Sequence, residues 1–241
     1  MVFLCFSSKD RFTAVDSILY HLKQYGVKVW YDYHELTLGD DRHIGNFEKG
    51  LDQCDYAVVV LSPNMIDCKC GNDELDYIHK RYHQRNIHVF PLFYNITAAE
   101  LPNKYKWMTE LIYNEINDGT GTLSPCRQIV YKLISDITDN NDDITISDYL
   151  PTKCKYLDKM IESYLQIDDV NHNAKASILY SIYLLLEANG IITNDMCRHT
   201  ANRIYQETKL NISYPHKELL ILEQVVITAL DAAKINNHHI F

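Results

Sequence analysis

Six apolar residues in a row, Tyr56-Ala-Val-Val-Val-Leu61, stand between Asp55 and the turn-forming Ser62-Pro63-Asn64. A run this short, with no polar alternation, fits a strand buried on both faces, and such strands belong to sheets covered by helices on each side. The first 140 residues repeat the arrangement. Residues 2–6, 27–31 and 87–93 read as further buried strands. Helical patterns fall at 12–25, closed by Gly26, at about 44–53, at 73–84 and, after irregular chain, at 123–137. Residues 33–42 read as a loop rich in Gly and Asp. The repeating unit is βα, which predicts an α/β fold with a parallel sheet.

The run Asp139-Asn-Asn-Asp-Asp143 has no apolar residue and interrupts this pattern. It divides the chain into a first domain, 1–140, and a second, 145–241. From Thr152 onward no strand-like run occurs. Tyr156, Met160, Tyr164 and Ile167 follow one helical face, and Ile178, Ile182, Leu185 and Leu186 follow another that Gly190 ends. Thr193 is the expected N-cap of a third helix reaching Ile204, and Leu219, Leu222, Val226, Leu230 and Ala233 mark a fourth. The second half reads as a small all-α bundle suited to oligomerisation or regulation.

Composition narrows the partners. With 46% hydrophobic and 23% charged residues the chain is a folded globular one. Its 23 Lys+Arg face 32 Asp+Glu, a net charge of -9, and no dense basic run is present, so nucleic acid is not an expected partner. The apolar start, residues 1–6, is too short for a signal-peptide core, and no apolar run approaches membrane-spanning length. Seven scattered cysteines, an odd number, fit a reduced cytoplasm, and no membrane association is expected.

In an open parallel sheet the ligand crevice lies outside the carboxyl ends of the strands. Three loops should converge there: Ser7-Ser8-Lys9-Asp10, residues 32–41, and Ser62-Pro63-Asn64. No G-x-G-x-x-G follows a strand, which argues against a hydride-transferring dinucleotide enzyme. Phe6, Trp30 and Tyr31 either line the crevice or belong to the core. Asp32, directly after an apolar strand, either faces the ligand or fixes its own loop. Ser7 and Ser8 either touch phosphate and ribose or cap the following helix, and Ser62 and Asn64 read as turn residues around Pro63. Cys68, Cys70, His79 and His83 have the chemistry of zinc ligands. Cys-x-Cys lacks the usual two-residue spacer, however, and no metal or cofactor is expected.

Four segments, in order, resemble the TIR (Toll/interleukin-1 receptor) domain family: Val2-Phe-Leu-Cys-Phe-Ser-Ser-Lys-Asp10; Val29-Trp-Tyr-Asp32 with Leu36-Thr-Leu-Gly39; Asp55 to Asn64 ahead of Asp73-Glu74-Leu75; and Phe90-Pro-Leu-Phe93. The resemblance spans about 140 residues and leaves the helical half outside it. It implies a flavodoxin-like parallel sheet flanked by helices.

Two functional classes follow from the resemblance. In one, a TIR domain is a non-catalytic scaffold acting by TIR–TIR assembly. In the other, it is an NAD+ glycohydrolase that cleaves the nicotinamide–ribose bond, giving ADP-ribose or a cyclic or conjugated ADP-ribose signal. Stand-alone enzymes of the second class resemble those of antiphage defence, in which NAD+ is depleted or a product informs a nucleotide-sensing effector. The resemblance makes Glu74 the catalytic carboxylate, with NAD+ as substrate rather than cofactor. Phe6, Ser7, Ser8, Trp30, Asp32, Leu38, Ser62 and Cys70 become substrate-binding candidates, and the loop that begins at Asp32 a surface of a homo-oligomer. Cys70 stands where the family usually has Trp, four residues before the glutamate. By residue type alone, Glu74 would be a solvated carboxylate on a helix face.

Overall fold

The computed structural model describes residues 1–41, 44–138, 144–191, 194–210 and 215–235. They fall into two compact units, Met1–Lys23 with Val27–Ile129, and Gln24–Gly26 with Val130–Phe241. The expected boundary at 139–143 lies outside the described residues.

The first unit holds five parallel strands: β1 (Val2–Cys5), β2 (Val29–Trp30), β3 (Tyr56–Leu61), β4 (His88–Tyr94) and β5 (Asn114–Ile116). Their order is β2-β1-β3-β4-β5, the doubly wound arrangement in which strand order reverses beside β1. Val2 to Cys5 pair with Tyr56 to Val59, and Tyr56 to Leu61 pair with His88 to Phe93. Ala57 through Leu61 are fully buried, each valine contributing about 1.5–3 kcal/mol by leaving water. Parallel strands need crossovers, and the chain supplies helices α1 (Asp16–Gln24), α2 (Asp32–Glu35), α3 (Pro63–Ile66), α4 (Lys69–His83) and α5 (Leu123–Thr138). Leu75 and Ile78 anchor α4 on the core that also holds Phe3, Val59 and Phe93.

Several elements differ from the sequence expectation. The helix predicted at 12–25 is a 3-10 turn (Ser8–Asp10), a π turn (Arg11–Val15) and only then α1. The helix predicted at 44–53 is a π turn (Gly45–Gly50) followed by a 3-10 turn (Leu51–Gln53). Periodicity shows that such segments wind; it does not show how tightly. The loop predicted from Tyr33 contains part of α2, Arg42 lies outside the described residues, and α4 starts at Lys69 rather than Asp73. Strand β5 was not expected, because only Ile116 of its three residues is buried and it leaves no apolar run.

The second unit is helical: α6 (Lys155–Gln166), α7 (His172–Ala188), α8 (Asp195–Lys209) and α9 (Pro215–Ile235). The fourth stripe is as expected, with Leu219, Leu222, Val226, Leu230 and Ala233 all buried. The first two are shifted only in part, since Tyr164 on α6 and Ile182 and Leu186 on α7 are buried as expected. Leu157, Ile161 and Tyr164 face the core of α6, leaving Tyr156 76% exposed, and Leu179, Ile182, Tyr183 and Leu186 do so on α7. An adjacent aromatic and aliphatic pair such as Tyr156 and Leu157 offers two stripes about 100° apart, and the purely aliphatic residue takes the dry one. Gly190 ends α7 at φ +80, as a left-handed cap requires. Asn194 caps α8 by accepting from the Cys197 amide at 2.8 Å; Thr193 lies outside the described residues. No described helix is long and apolar enough to cross a membrane.

The loops after β1 and β3 are joined by a buried carboxylate. Asp10, 1% exposed, accepts from the Ser62 hydroxyl at 2.5 Å and from the Asn64 amide at 2.6 Å. Ser62 Oγ in turn accepts from the Met65 amide at 3.0 Å, capping α3. Asp10→Ala should therefore cost about 2–3 kcal/mol in urea unfolding, since the Ser62 hydroxyl stays buried without its acceptor. Asp10→Asn, which keeps an acceptor oxygen, should cost less.

The thiols give a second expectation. Cys5, Cys54, Cys126 and Cys197 are buried, whereas Cys70 is exposed. Burial pushes Cys126 and Cys197 up to about 12 and Cys54 to about 11, so these groups stay protonated at neutral pH. A thiol-reactive disulfide should label Cys70 first and reach the four buried cysteines only on unfolding. Rapid labelling of Cys126 in the native protein would contradict this packing.

Candidate active site

The sheet edge where β1, β2 and β3 end carries two groups of polar side chains. The first is built on Glu74. Five residues into α4 and on its inward face, Glu74 is 7% exposed, not solvated as its residue type suggested. Asn46, itself buried in the π turn that follows the β2 loop, donates from Nδ2 to Glu74 Oε1 at 2.8 Å. The Asn46 side-chain oxygen is also buried and makes no hydrogen bond among the described residues. Cys5, the last residue of β1, lies against the same carboxylate, and burial followed by the Glu74 charge and hydrogen bond raises its thiol well above the ordinary cysteine range. Strand end, π turn and helix thus hold one carboxylate from three sides, which fixes its position before any ligand arrives.

The second group is built on Arg11. Its guanidinium lies 4.4 Å from the Tyr33 ring centroid and 5.8 Å from those of Phe6 and Tyr31, and its Nη2 is 3.5 Å from Asp32 Oδ1. Phe6 and Tyr31 lie 5.5 Å apart. The Tyr31 hydroxyl donates to Asp16 at 2.8 Å, and burial together with that carboxylate raises its pKa. A surface pocket of about 400 Å³ opens here, lined by Ser8, Arg11, Asp32, Tyr33, Thr37 and Asp40 among others. Asp40 accepts from the Thr37 amide at 2.7 Å, which keeps its carboxyl below the usual range and folds the loop back on itself.

The residues singled out in the sequence are distributed as follows. Ser8 and Asp32 line the pocket, and Phe6 backs Arg11. Ser7 is buried next to them in sequence. Ser62 is buried and engaged by Asp10 and the α3 cap, the turn role read for it. Trp30 is half-buried against the core, and a Cβ on Gly50 would fall 2.6 Å from its Nε1. Leu38 is fully exposed, and Cys70 is exposed in the first turn of α4; neither lines the pocket. Glu74 does not line it either.

Asp10 was placed at the crevice only as part of its loop, and Arg11 and Asn46 went unmarked by sequence reasoning. Asp10 and Arg11 had a signal, since a carboxylate and a guanidinium follow Ser7-Ser8-Lys9 at the sheet edge. Asn46 had none, because its face is set by π and 3-10 turns whose period no α-helical template matches. Among the described residues no group of three or more His, Cys, Asp or Glu converges as metal ligands.

Chemically, an anchored and buried carboxylate can stabilise a cation that develops beside it and can accept hydroxyl hydrogen bonds. A guanidinium packed on aromatic rings and facing a pocket can meet a planar or anionic ligand group.

Comparison with known proteins places this geometry. Residues 2–120 match the TIR domain family. The NAD(+) hydrolase TcpC of Escherichia coli O6:H1 is 33% identical over 104 residues, 43% of this chain and 33% of that protein. The 2' cyclic ADP-D-ribose synthase AbTIR of Acinetobacter baumannii is 32% identical over 100 residues, 42% of this chain and 37% of that protein. The match spans about a third of the length of these curated relatives. Among solved structures, the TIR domain of the Toll-related receptor TRR-2 from Hydra magnipapillata covers 47% of this chain and 82% of its own, at 18% identity and a TM-score of 0.39. The family match identifies residues 2–120 as a TIR domain, followed here by a helical region.

Proposed function

We propose that this chain cleaves NAD+ at the nicotinamide–ribose bond, with Glu74 as the catalytic carboxylate. The observation that carries the reading is the placement of Glu74, buried beside the end of β1 and tethered by Asn46. The relatives matched over this segment are named as an NAD(+) hydrolase and a cyclic ADP-ribose synthase, which supports the same chemistry.

The mechanism follows from the charges. Nicotinamide leaves as a neutral base, taking the bonding electron pair, and positive charge develops on the ribose as an oxocarbenium ion. Glu74 stabilises that charge and accepts from ribose hydroxyls. Water attack at the cation then gives ADP-ribose, and attack by a hydroxyl of the same molecule gives a cyclic product. Phe6, Ser8 and Asp32 act on the remainder of the dinucleotide. The wider role in this reading is antiphage defence, by NAD+ depletion or by a nucleotide signal to an effector, with the helical region governing homo-oligomer assembly. The fully exposed Leu38 on the β2 loop favours that loop as a subunit contact, which is also what a purely scaffolding TIR domain would use.

The test is incubation of the purified chain with NAD+ and identification of products by mass spectrometry. Glu74→Gln should lower turnover by about 10²–10³-fold with an unchanged circular dichroism spectrum, because it keeps the size and removes the charge. Asn46→Ala should lower kcat more than it raises KM, since Asn46 orients Glu74. Wild-type turnover in Glu74→Gln would reject the assignment, and absence of any NAD+ cleavage by the wild-type protein would favour the scaffold.

A further inference from the structure

Two histidines on α4 carry chemistry that the NAD+ reading does not use. His79 and His83 are one turn apart, and their Nε2 atoms face each other at 2.8 Å, with ring centroids at 4.4 Å. The His79 ring is held in place by stacking on Trp107 at 4.3 Å and 12°, and Tyr82 packs on the same indole at 5.3 Å. His83 is exposed. Between two neutral imidazoles only one of the facing nitrogens carries the proton. With both rings carrying their proton on Nδ1, the two Nε2 lone pairs are open to a cation seated beside the pair on a rigid frame.

The distances suit a metal. Two bonds of about 2.0–2.1 Å from one ion place their nitrogens about 3 Å apart, close to the separation observed. Cys68 and Cys70 do not complete the set: nine residues of helical rise put Cys70 about 13 Å from His79 along α4. With no third side-chain ligand in a described cluster, the other coordination positions fall to water. That arrangement fits Ni2+ or Cu2+, which accept mixed imidazole and water shells, better than the closed tetrahedral site of structural zinc.

We propose that His79 and His83 form a bidentate site for a borderline divalent transition metal ion, with water completing its shell, and that the ion clips together successive turns of the helix bearing Glu74. The inference does not depend on the catalytic reading, and its test does not use activity.

The full chain is titrated with Ni2+ while tryptophan emission is followed. Trp107 is one of two tryptophans and touches His79, so a bound paramagnetic ion quenches its share of the signal. The expected result is saturable quenching with a rise in Tm. His83→Ala, which removes an exposed ring and leaves the His79–Trp107 stack, should weaken binding at least about tenfold through loss of one ligand. His88→Ala and Cys70→Ser should bind as the wild type does. Absence of saturable quenching in the wild type, undiminished binding by His83→Ala, or equal weakening by His88→Ala or Cys70→Ser would each overturn the proposal.

Discussion

Strand β1 pairs in parallel with β2 on one side and β3 on the other, so the chain must leave all three strands at the same edge of the sheet. Strand order reverses beside β1, and helices on opposite faces leave a crevice at that edge rather than a covered surface. Several polar side chains of the candidate site are carried there by this geometry: Ser8 and Arg11 after β1, Asp32 after β2, and Asp10's partners Ser62 and Asn64 after β3. The Asp10 bonds then hold two of the loops together across the edge. Because Asp10 is buried, that link is protected from competition by water, so the loops keep one arrangement instead of several.

Much of this was legible in the chain because burial on both faces writes itself into sequence. Tyr56 to Leu61 cannot alternate when neither face meets solvent, and a strand of that kind is recognised from one run. The same rule explains the missed strand. At the sheet edge Asn114 and Glu115 are partly or fully exposed, so β5 carries no run, and only pairing with Leu92 to Tyr94 makes it a strand. In the helical region the fourth stripe was readable because α9 is buried on most of its surface, Ile221, Val225, Ile227 and Ala229 included, so an apolar stripe read along it falls on a dry face. The first was not, because Tyr156 and Leu157 compete and a tyrosine is content at the surface.

The site was legible to a different degree. Positions that follow a strand directly, such as Phe6, Ser8 and Asp32, are placed by the strand itself and could be named. Contacts between segments far apart in sequence could not. Asn46 meets Glu74 across 28 residues of chain, through a segment wound as π and 3-10 turns, and no local pattern encodes such a meeting. Arg11 meets Asp32 in the same way. What stays hidden in a sequence is chiefly the pairing of buried polar groups, since it depends on the register of distant elements rather than on periodicity.

The two carboxylates at this edge are treated differently by their surroundings, and that difference bears on which of them can meet a developing cation. Asp32 faces a guanidinium at 3.5 Å, so much of its field is already spent on Arg11. Glu74 is met by the amide of Asn46 and the thiol of Cys5. Cys5 is held protonated by burial and by Glu74 itself. A carboxylate fixed in place before reaction needs no reorganisation when charge forms beside it, and a low-dielectric setting strengthens its field. On the proposed reaction the two would take separate roles: Asp32 shapes the pocket around Arg11, and Glu74, held in place by Asn46, would meet the oxocarbenium ion.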